Sequence, residues 1–301
     1  MQKTQCLIIG AGPAGLSAAI YTARAGMDTV VAGCEPKIAG DYDIDNYFGF
    51  PETISGRELI ERGLRQAQRF GARIVCQRVL AVHMDADGAF EVKTDQDTFA
   101  AQAVVIAAGV ARVRPGIANL AAYEGKGVSY CVSCDGFFFR GRTVAVVGEG
   151  NYAANQALEL TNFTSAITIY TQGKEPAMGE VFTGKLAEVG IAVSTAKVDR
   201  LTGEAALTGL VLADGGEAPA EGLFVAMGQA SALDFAKTLG VLAKGAFIEA
   251  DSEQKTNVPG VFAAGDCVGH FMQISVAVGE GAKAGRAAIA HVKERAGKAD
   301  G

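Results

Sequence analysis

Two residues separate the cysteines of Cys131-Val132-Ser133-Cys134, and Asp135 follows them directly. This spacing closes a small disulfide on a turn or a first helical turn. Thiols so placed have lowered pKa values and attack disulfides as thiolates. Asp135 is placed to carry a proton to or from a departing thiolate. The other readings are a zinc half-site or an inert pair. Zinc takes four ligands, commonly a second CxxC or a histidine pair. His83, His270 and His291 are isolated along the chain, so no metal site is expected. Cys6, Cys34, Cys76 and Cys267 have no motif spacing. They are expected to be packing residues rather than a secreted disulfide framework.

Two glycine-rich turns bracket the dithiol. The first, Gly10-Ala11-Gly12-Pro13-Ala14-Gly15, lies between a short apolar run and an alanine-rich segment. Gly10 makes the turn, Gly12 lets the backbone approach a pyrophosphate, and Gly15 permits close helix–strand packing. The helix N-terminus then faces the phosphates. Glu35, 20 residues past Gly15, either accepts hydrogen bonds from a ribose or is a solvated loop residue. The second turn, Gly148-Glu149-Gly150-Asn151-Tyr152-Ala153, keeps its glycines. Glu149 puts a carboxylate where a pyrophosphate would approach, and like charges repel. After the next strand comes Tyr170-Thr171-Gln172. It holds neither an arginine for a 2′-phosphate nor an acid for a ribose. The favoured reading is an inherited scaffold that binds no nucleotide.

The elements that must position these turns follow from hydrophobic patterning. Strands are expected at 5–9, 28–32, 74–84, 89–94 and 103–107, the last ending at Ala108-Gly109. A helix is expected at 59–70. A second βαβ unit is expected with a strand at 143–147, a turn at 148–153, a helix at 154–162 and a strand at 166–170. Later strands are expected at 222–227 and 261–264, and a long helix at 274–295. Two such units about 140 residues apart suggest two nucleotide-type domains. The segment from 261 onward has no unit of its own and is expected to complete the first. The fold class is therefore α/β, with two Rossmann-like three-layer domains. The first is discontinuous, 1–113 and 230–301, around an inserted domain at 114–229.

Composition narrows the function classes. The chain has 301 residues, 49% hydrophobic and 20% charged, with 39 glycines and net charge −6. Nucleic-acid binders are strongly basic, so no such partner is expected. No apolar run reaches the roughly 18 residues of a membrane span. The N-terminus enters a strand directly, without a signal peptide, and the expected location is cytoplasmic.

The first turn, the Cys131-x-x-Cys134-Asp135-Gly136 run and Gly260-Val261-Phe262-Ala263-Ala264-Gly265-Asp266 together resemble the low-molecular-weight thioredoxin reductases. The likeness covers nearly the whole chain, with the motifs in the family's order. It implies FAD in the first fingerprint, held by Gly10, Gly12, Pro13, Ala14 and Gly15, with Gly109 beside it. It implies that Gly265 and Asp266 meet the ribityl or phosphate portion. The helix starting near Gln273 and Ile274 would point its N-terminus at the flavin. Asp45-Asn46-Tyr47-Phe48-Gly49 would lie beside the ring. Cys134 would face the flavin, Cys131 would attack the partner's disulfide, and Asp135 would be the acid. The family's Gly-Gly-Gln-Leu loop is missing near 36–41, and its Arg-Gln pair is Met272-Gln273 here.

The altered second turn is similar to a subgroup, the NADPH-independent, ferredoxin-dependent flavin thioredoxin reductases. So are Asn46-Tyr47-Phe48-Gly49-Phe50 and Ala277-Val278-Gly279-Glu280-Gly281. The resemblance implies a homodimer that takes electrons from reduced ferredoxin and passes them to thioredoxin or a thioredoxin-like protein. Arg112, Arg114, Lys126, Arg140 and Arg142 either dock an acidic ferredoxin or are ordinary solvated charges. The rival readings are an NAD(P)H-dependent thioredoxin reductase, an FAD-dependent dithiol oxidase using oxygen, and a non-enzymatic flavin redox sensor.

Overall fold

The computed structural model describes every residue except 35, 41–42, 110–114, 131, 229 and 300–301. The side chains of Lys37, Ser133, Cys134, Lys298 and Ala299 also lie outside the description. The expected positions Glu35, Arg112, Arg114 and Cys131 therefore lie outside the described residues. The chain divides into two units, Met1–Val110 with Ser231–Gly301, and Ala111–Ala230.

The first unit opens with β1 (Gln2–Ile9), α1 (Pro13–Arg24) and β2 (Thr29–Ala32). A two-strand ribbon of β3 (Asp43–Ile44) and β4 (Ile54–Ser55) leads into α2 (Gly56–Arg69). Ser55 caps α2 by accepting from the Glu58 N–H, one of the helix's orphan donors. Then come β5 (Arg73–Val75), β6 (Val79–Met84), β7 (Phe90–Thr94) and β8 (Thr98–Ile106). The single strand expected at 74–84 is thus two. The break falls at Cys76-Gln77-Arg78, where buried Gln77 turns inward to accept from the Thr94 hydroxyl at 2.8 Å.

The second unit holds β9 (Val128–Ser129), α3 (Val132–Asp135), β10 (Val144–Val147), α4 (Asn151–Leu160) and β11 (Ile167–Tyr170). It continues with α5 (Glu180–Glu188), β12 (Ala192–Ser194), β13 (Val198–Thr202), β14 (Gly209–Leu212), β15 (Glu217–Pro219) and β16 (Gly222–Val225). Its five-stranded parallel sheet runs β12-β11-β10-β16-β9, beside an antiparallel sheet of β13-β14-β15. Helix α4 begins at Asn151, three residues before the expected start. The turn is tighter than the sequence suggested, and Gly150 is its N-cap.

The chain then returns to the first unit through α6 (Ala232–Thr238), β17 (Ala243–Lys244), β18 (Phe247–Ile248), β19 (Val261–Ala263) and α7 (Ile274–Ala299). The main sheet runs β5-β2-β1-β8-β7-β6. Strand β8 is long enough to share its far edge. Its residues 98–101 pair with β7 and its residues 104–106 with β19. Helix α7 packs along α1, where two glycines allow contact. A Cβ on Gly281 would sit 2.1 Å from the Ala14 carbonyl oxygen, and one on Gly285 would sit 2.8 Å from that of Ala18. Among the described residues no helix is long and apolar enough to cross a membrane.

Candidate active site

The first turn is built for an anion. Gly10 has φ +112°, and a Cβ there would strike the Ala107 carbonyl oxygen at 2.4 Å. On Gly15 a Cβ would sit 1.9 Å from the Gly10 carbonyl oxygen, so α1 can approach β1 only through glycine. Gly12 is the N-cap of α1, and among the described residues a Cβ there would meet only Pro36, at 3.8 Å. Pro13 occupies the first helical turn, which carries no acid and no side-chain cap. The orphan N–H groups of a helix N-terminus and its dipole favour a phosphate at such a place.

The other expected cofactor residues converge on the same unit. A Cβ on Gly265 would meet that of Ala14 at 2.9 Å, which seats the Gly265-Asp266 turn against the fingerprint. Asn46 donates from Nδ2 to Gln273 Oε1 at 3.1 Å, although the two are 227 residues apart. Ile274 opens α7, and Gln273 accepts from the Ala277 N–H at 2.9 Å. Pro13, Tyr47 and Ile274 line one cavity of about 550 Å³. Gly109 follows β8 with φ +66°, and among the described residues nothing lies within 4 Å of where its Cβ would be. One residue escaped the sequence reading of roles. Glu280, buried on α7, accepts the Gly265 N–H at 2.7 Å and meets His270 Nδ1 at 2.6 Å. A carboxylate between two glycines on a helix was its signal.

The dithiol lies in the second unit, where α3 carries Cys134 on its backbone. The Val132 N–H donates to Oε1 of buried Gln156, so α3 is tied to α4. Half-buried Asp135 accepts from the Ser129 hydroxyl at 2.6 Å. Ser129 closes β9, so the sheet edge fixes where the carboxylate sits. Phe137 and Phe138 follow and are 63% and 69% exposed. The run of three phenylalanines after the CxxC-Asp motif was a legible signal that the sequence reading passed over. Arg140 stacks over the Phe137 ring, and Arg142 pairs with Glu221 at 3.7 Å.

The second turn differs from the first. Glu149 forms an ion pair with Lys174 and accepts weakly from the Gly228 N–H at 3.5 Å. Burial pushes its carboxyl upward, but the Lys174 ammonium and these hydrogen bonds outweigh that and hold it below the ordinary carboxylate value. The segment after β11 folds back across the turn. The Ala177 N–H donates to the Glu149 carbonyl at 2.7 Å, and the Gly179 N–H to Asn151 Oδ1 at 2.8 Å. A Cβ on Gly150 would face two carbonyl oxygens, of Gly228 at 3.7 Å and Ala177 at 3.9 Å. Gln172, the last residue of the Tyr170-Thr171-Gln172 run, has φ +57°. Its amide accepts from the Val198 N–H at 2.6 Å and donates to the Pro115 carbonyl at 2.8 Å.

The structure also corrects the reading of two cysteines. Cys34 and Cys76 are not simple packing residues. They form a disulfide with 4.3 Å between their Cα atoms. Cys6 and Cys267 are buried, and burial pushes each thiol up to about 12.

The pyridine nucleotide-disulphide oxidoreductase family model matches residues 4–281. The thioredoxin reductase of Streptomyces coelicolor is 34% identical over 298 residues, 92% of this chain and 90% of its own. The atypical thioredoxin reductase from Desulfovibrio vulgaris Hildenborough is 62% identical, with TM-score 0.95 over 97% of this chain and 98% of that one. A ferredoxin-flavin thioredoxin reductase from Clostridium acetobutylicum is 27% identical, with TM-score 0.70 over 98% of each. Thioredoxin reductases of this kind are FAD flavoproteins, and the first turn fits that group.

Proposed function

The chain belongs to the pyridine nucleotide-disulphide oxidoreductase family as a thioredoxin reductase-type flavin disulfide oxidoreductase. On that premise we propose that it reduces thioredoxin or a thioredoxin-like protein through Cys131 and Cys134, its electrons arriving from reduced ferredoxin rather than NADPH. The cofactor is FAD. When bound, FAD supplies the link between one-electron delivery and two-electron disulfide reduction. Gly10, Gly12, Pro13, Ala14, Gly15, Asp266 and the Asn46–Gln273 pair would hold it.

The remaining chemistry belongs to the dithiol. The Cys131 thiolate attacks one sulfur of the partner's disulfide, and the other sulfur leaves. Asp135, held by Ser129, gives that leaving sulfur its proton. Cys134 then attacks Cys131, which releases the reduced partner and restores the Cys131–Cys134 disulfide. The exposed rings of Phe137 and Phe138, which follow the CxxC-Asp run in the chain, supply an apolar docking face. The two protomers of a cytoplasmic homodimer would each carry one such site.

The donor reading rests on one observation. The second turn presents the Glu149 carboxylate and two carbonyl oxygens where an NADPH pyrophosphate would need donors. The likeness to a ferredoxin-flavin thioredoxin reductase supports the same donor. The test is anaerobic flavin bleaching with NADPH, NADH and reduced ferredoxin added separately. Rapid bleaching by ferredoxin alone is expected, and rapid bleaching by NADPH would overturn the donor reading. A Cys134→Ser variant is expected to retain FAD, lose turnover and trap thioredoxin as a mixed disulfide on Cys131.

A further inference from the structure

The Cys34–Cys76 disulfide is outside the CxxC and takes no part in the chemistry above. Cys34 lies two residues beyond β2, and Cys76 directly follows β5. These are neighbouring parallel strands whose last paired residues are Ala32 and Val75. The bond therefore joins two strand ends at the C-terminal edge of the sheet. Three features distinguish it from a buried staple. Cys76 is exposed and Cys34 is half-buried, so an attacking thiol can reach the bond. Strand β5 is only three residues long and among the described residues pairs with β2 alone, so the sheet holds that end weakly. The 42-residue separation encloses residues 45–50 and α2.

That enclosed segment reaches the cofactor residues. Gly33, the neighbour of Cys34, abuts the first fingerprint, where a Cβ would stand 2.8 Å from the Ala11 nitrogen. The Gly33 N–H donates to the Val75 carbonyl at 3.1 Å, and Gly10 donates to Ala32 at 2.9 Å. Asn46 reaches Gln273 from within the loop. On α2, Ile60 packs in a cluster with Leu16 of α1. The bond thus ties down the strand end, the loop and the helix that surround the nucleotide turn.

We infer that Cys34–Cys76 is a second thiol–disulfide exchange site, reduced by a dithiol protein, and that its state sets how firmly the first unit retains FAD. Naming reduced thioredoxin as that dithiol rests on the function proposed above. A thiolate of the reduced partner attacks Sγ of Cys76, and Cys34 leaves as a thiolate and takes a proton. The partner's second thiol then attacks its own sulfur in the mixed disulfide, and Cys76 leaves and is protonated. Two electrons and two protons pass to the pair, and the partner ends as a disulfide. Exposed disulfides are the labile ones, and those in reducing compartments serve as transient or sensing bonds. Opening this bond frees a long loop, and looser loop closure weakens the site that the loop helps to build.

The test uses full-length FAD-loaded protein carrying Cys131→Ser and Cys134→Ser, so the CxxC cannot contribute. The protein is mixed with thioredoxin that has been reduced with dithiothreitol and freed of it. Exposed thiols are then capped with a maleimide and located by peptide mass. Cys34 and Cys76 are expected to be labelled together, with Cys6 and Cys267 untouched. FAD release, followed by flavin fluorescence on dilution, is expected to be about tenfold faster in the reduced form. A Cys34→Ser, Cys76→Ser protein with its CxxC intact is expected to show the fast rate in both redox states. A pair that stays oxidised overturns the exchange site, and a reduced pair with unchanged FAD release overturns its coupling to the cofactor. Turnover plays no part in these readouts. Failure of the proposed function would instead appear as absent thioredoxin reduction in the unaltered enzyme.

Discussion

The two glycine-rich turns share a spacing and a place in a βαβ unit, yet they present opposite surfaces to an anion. Above Gly12 the structure offers a helix N-terminus with no acid in its first turn. Beside Gly150 it offers the Glu149 side chain, paired to Lys174, and the carbonyl oxygens of Gly228 and Ala177. The glycines survive in both because backbone packing needs them. A Cβ on Gly148 would lie 2.1 Å from the Ala226 carbonyl oxygen, much as Gly10 is pressed on Ala107. A glycine fingerprint therefore reports a close strand–helix approach. Whether it also binds a nucleotide is decided by the residues between the glycines and by the loop that faces them.

Alanine at the matched second glycines separates the turns most sharply. Gly12 and Gly150 both have extended backbone with negative φ, so alanine is permitted at each. Gly12→Ala is expected to weaken FAD binding about 100-fold, or roughly 3 kcal/mol, because its methyl stands where the pyrophosphate approaches. Gly150→Ala is expected to leave FAD content and turnover unchanged. Flavin-to-protein absorbance ratios check both, and a donor defect in Gly150→Ala would show that the second turn binds a nucleotide.

Next in size is the dithiol face, which the second unit keeps although its turn is altered. Phe137→Ala with Phe138→Ala is expected to raise KM for thioredoxin about tenfold, or roughly 1.4 kcal/mol, with kcat nearly unchanged. Steady-state kinetics over a range of thioredoxin concentrations checks this. An unchanged KM would remove these rings from the docking face.

Reopening the second turn is a smaller effect. Glu149→Gly with Lys174→Ala removes the carboxylate and its partner but leaves both carbonyl oxygens and adds no arginine. NADPH bleaching is expected to rise less than about tenfold. A gain of two orders of magnitude would mean that the carboxylate alone blocks the site.

The smallest effect is on stability. Lys174 is half-exposed, so solvent screens its pair with Glu149. Glu149→Gln is expected to cost about 0.5 kcal/mol, a fall in Tm of roughly 1–2 °C. The carboxyl is held below its ordinary value in the fold, so its stabilisation is present above that value, about 4.3. It is lost as pH falls through the lower folded value. Thermal unfolding of both proteins should therefore differ at pH 7 and converge toward pH 3.

What could be read without coordinates follows the range of the forces involved. The first turn, the CxxC-Asp run and the Gly265-Asp266 turn are local, and their glycines and cysteines mark them within a few residues. The broken strand at Cys76-Gln77-Arg78 hid between two apolar runs, because the Gln77 side chain finds its partners, Thr94 and Asp97, across the sheet. The Cys34–Cys76 bond was invisible for a related reason. It depends on β2 and β5 becoming neighbours, which no spacing of 42 residues encodes. Glu149 was noticed as a charge, but its Lys174 partner and the backbone laid over the turn come from a segment that carries no motif.

The placement of β19 and α7 has a consequence for how the protein is made. During synthesis the fingerprint helix α1 emerges long before α7, the helix that packs along it. The intervening unit is continuous and can complete its own sheet from the ribosome first, as domains generally fold as units. The discontinuous unit cannot, because residues 104–106 of β8 wait for β19. A chain stalled before residue 261 would therefore carry a nucleotide fingerprint without the β19 and α7 that complete its unit.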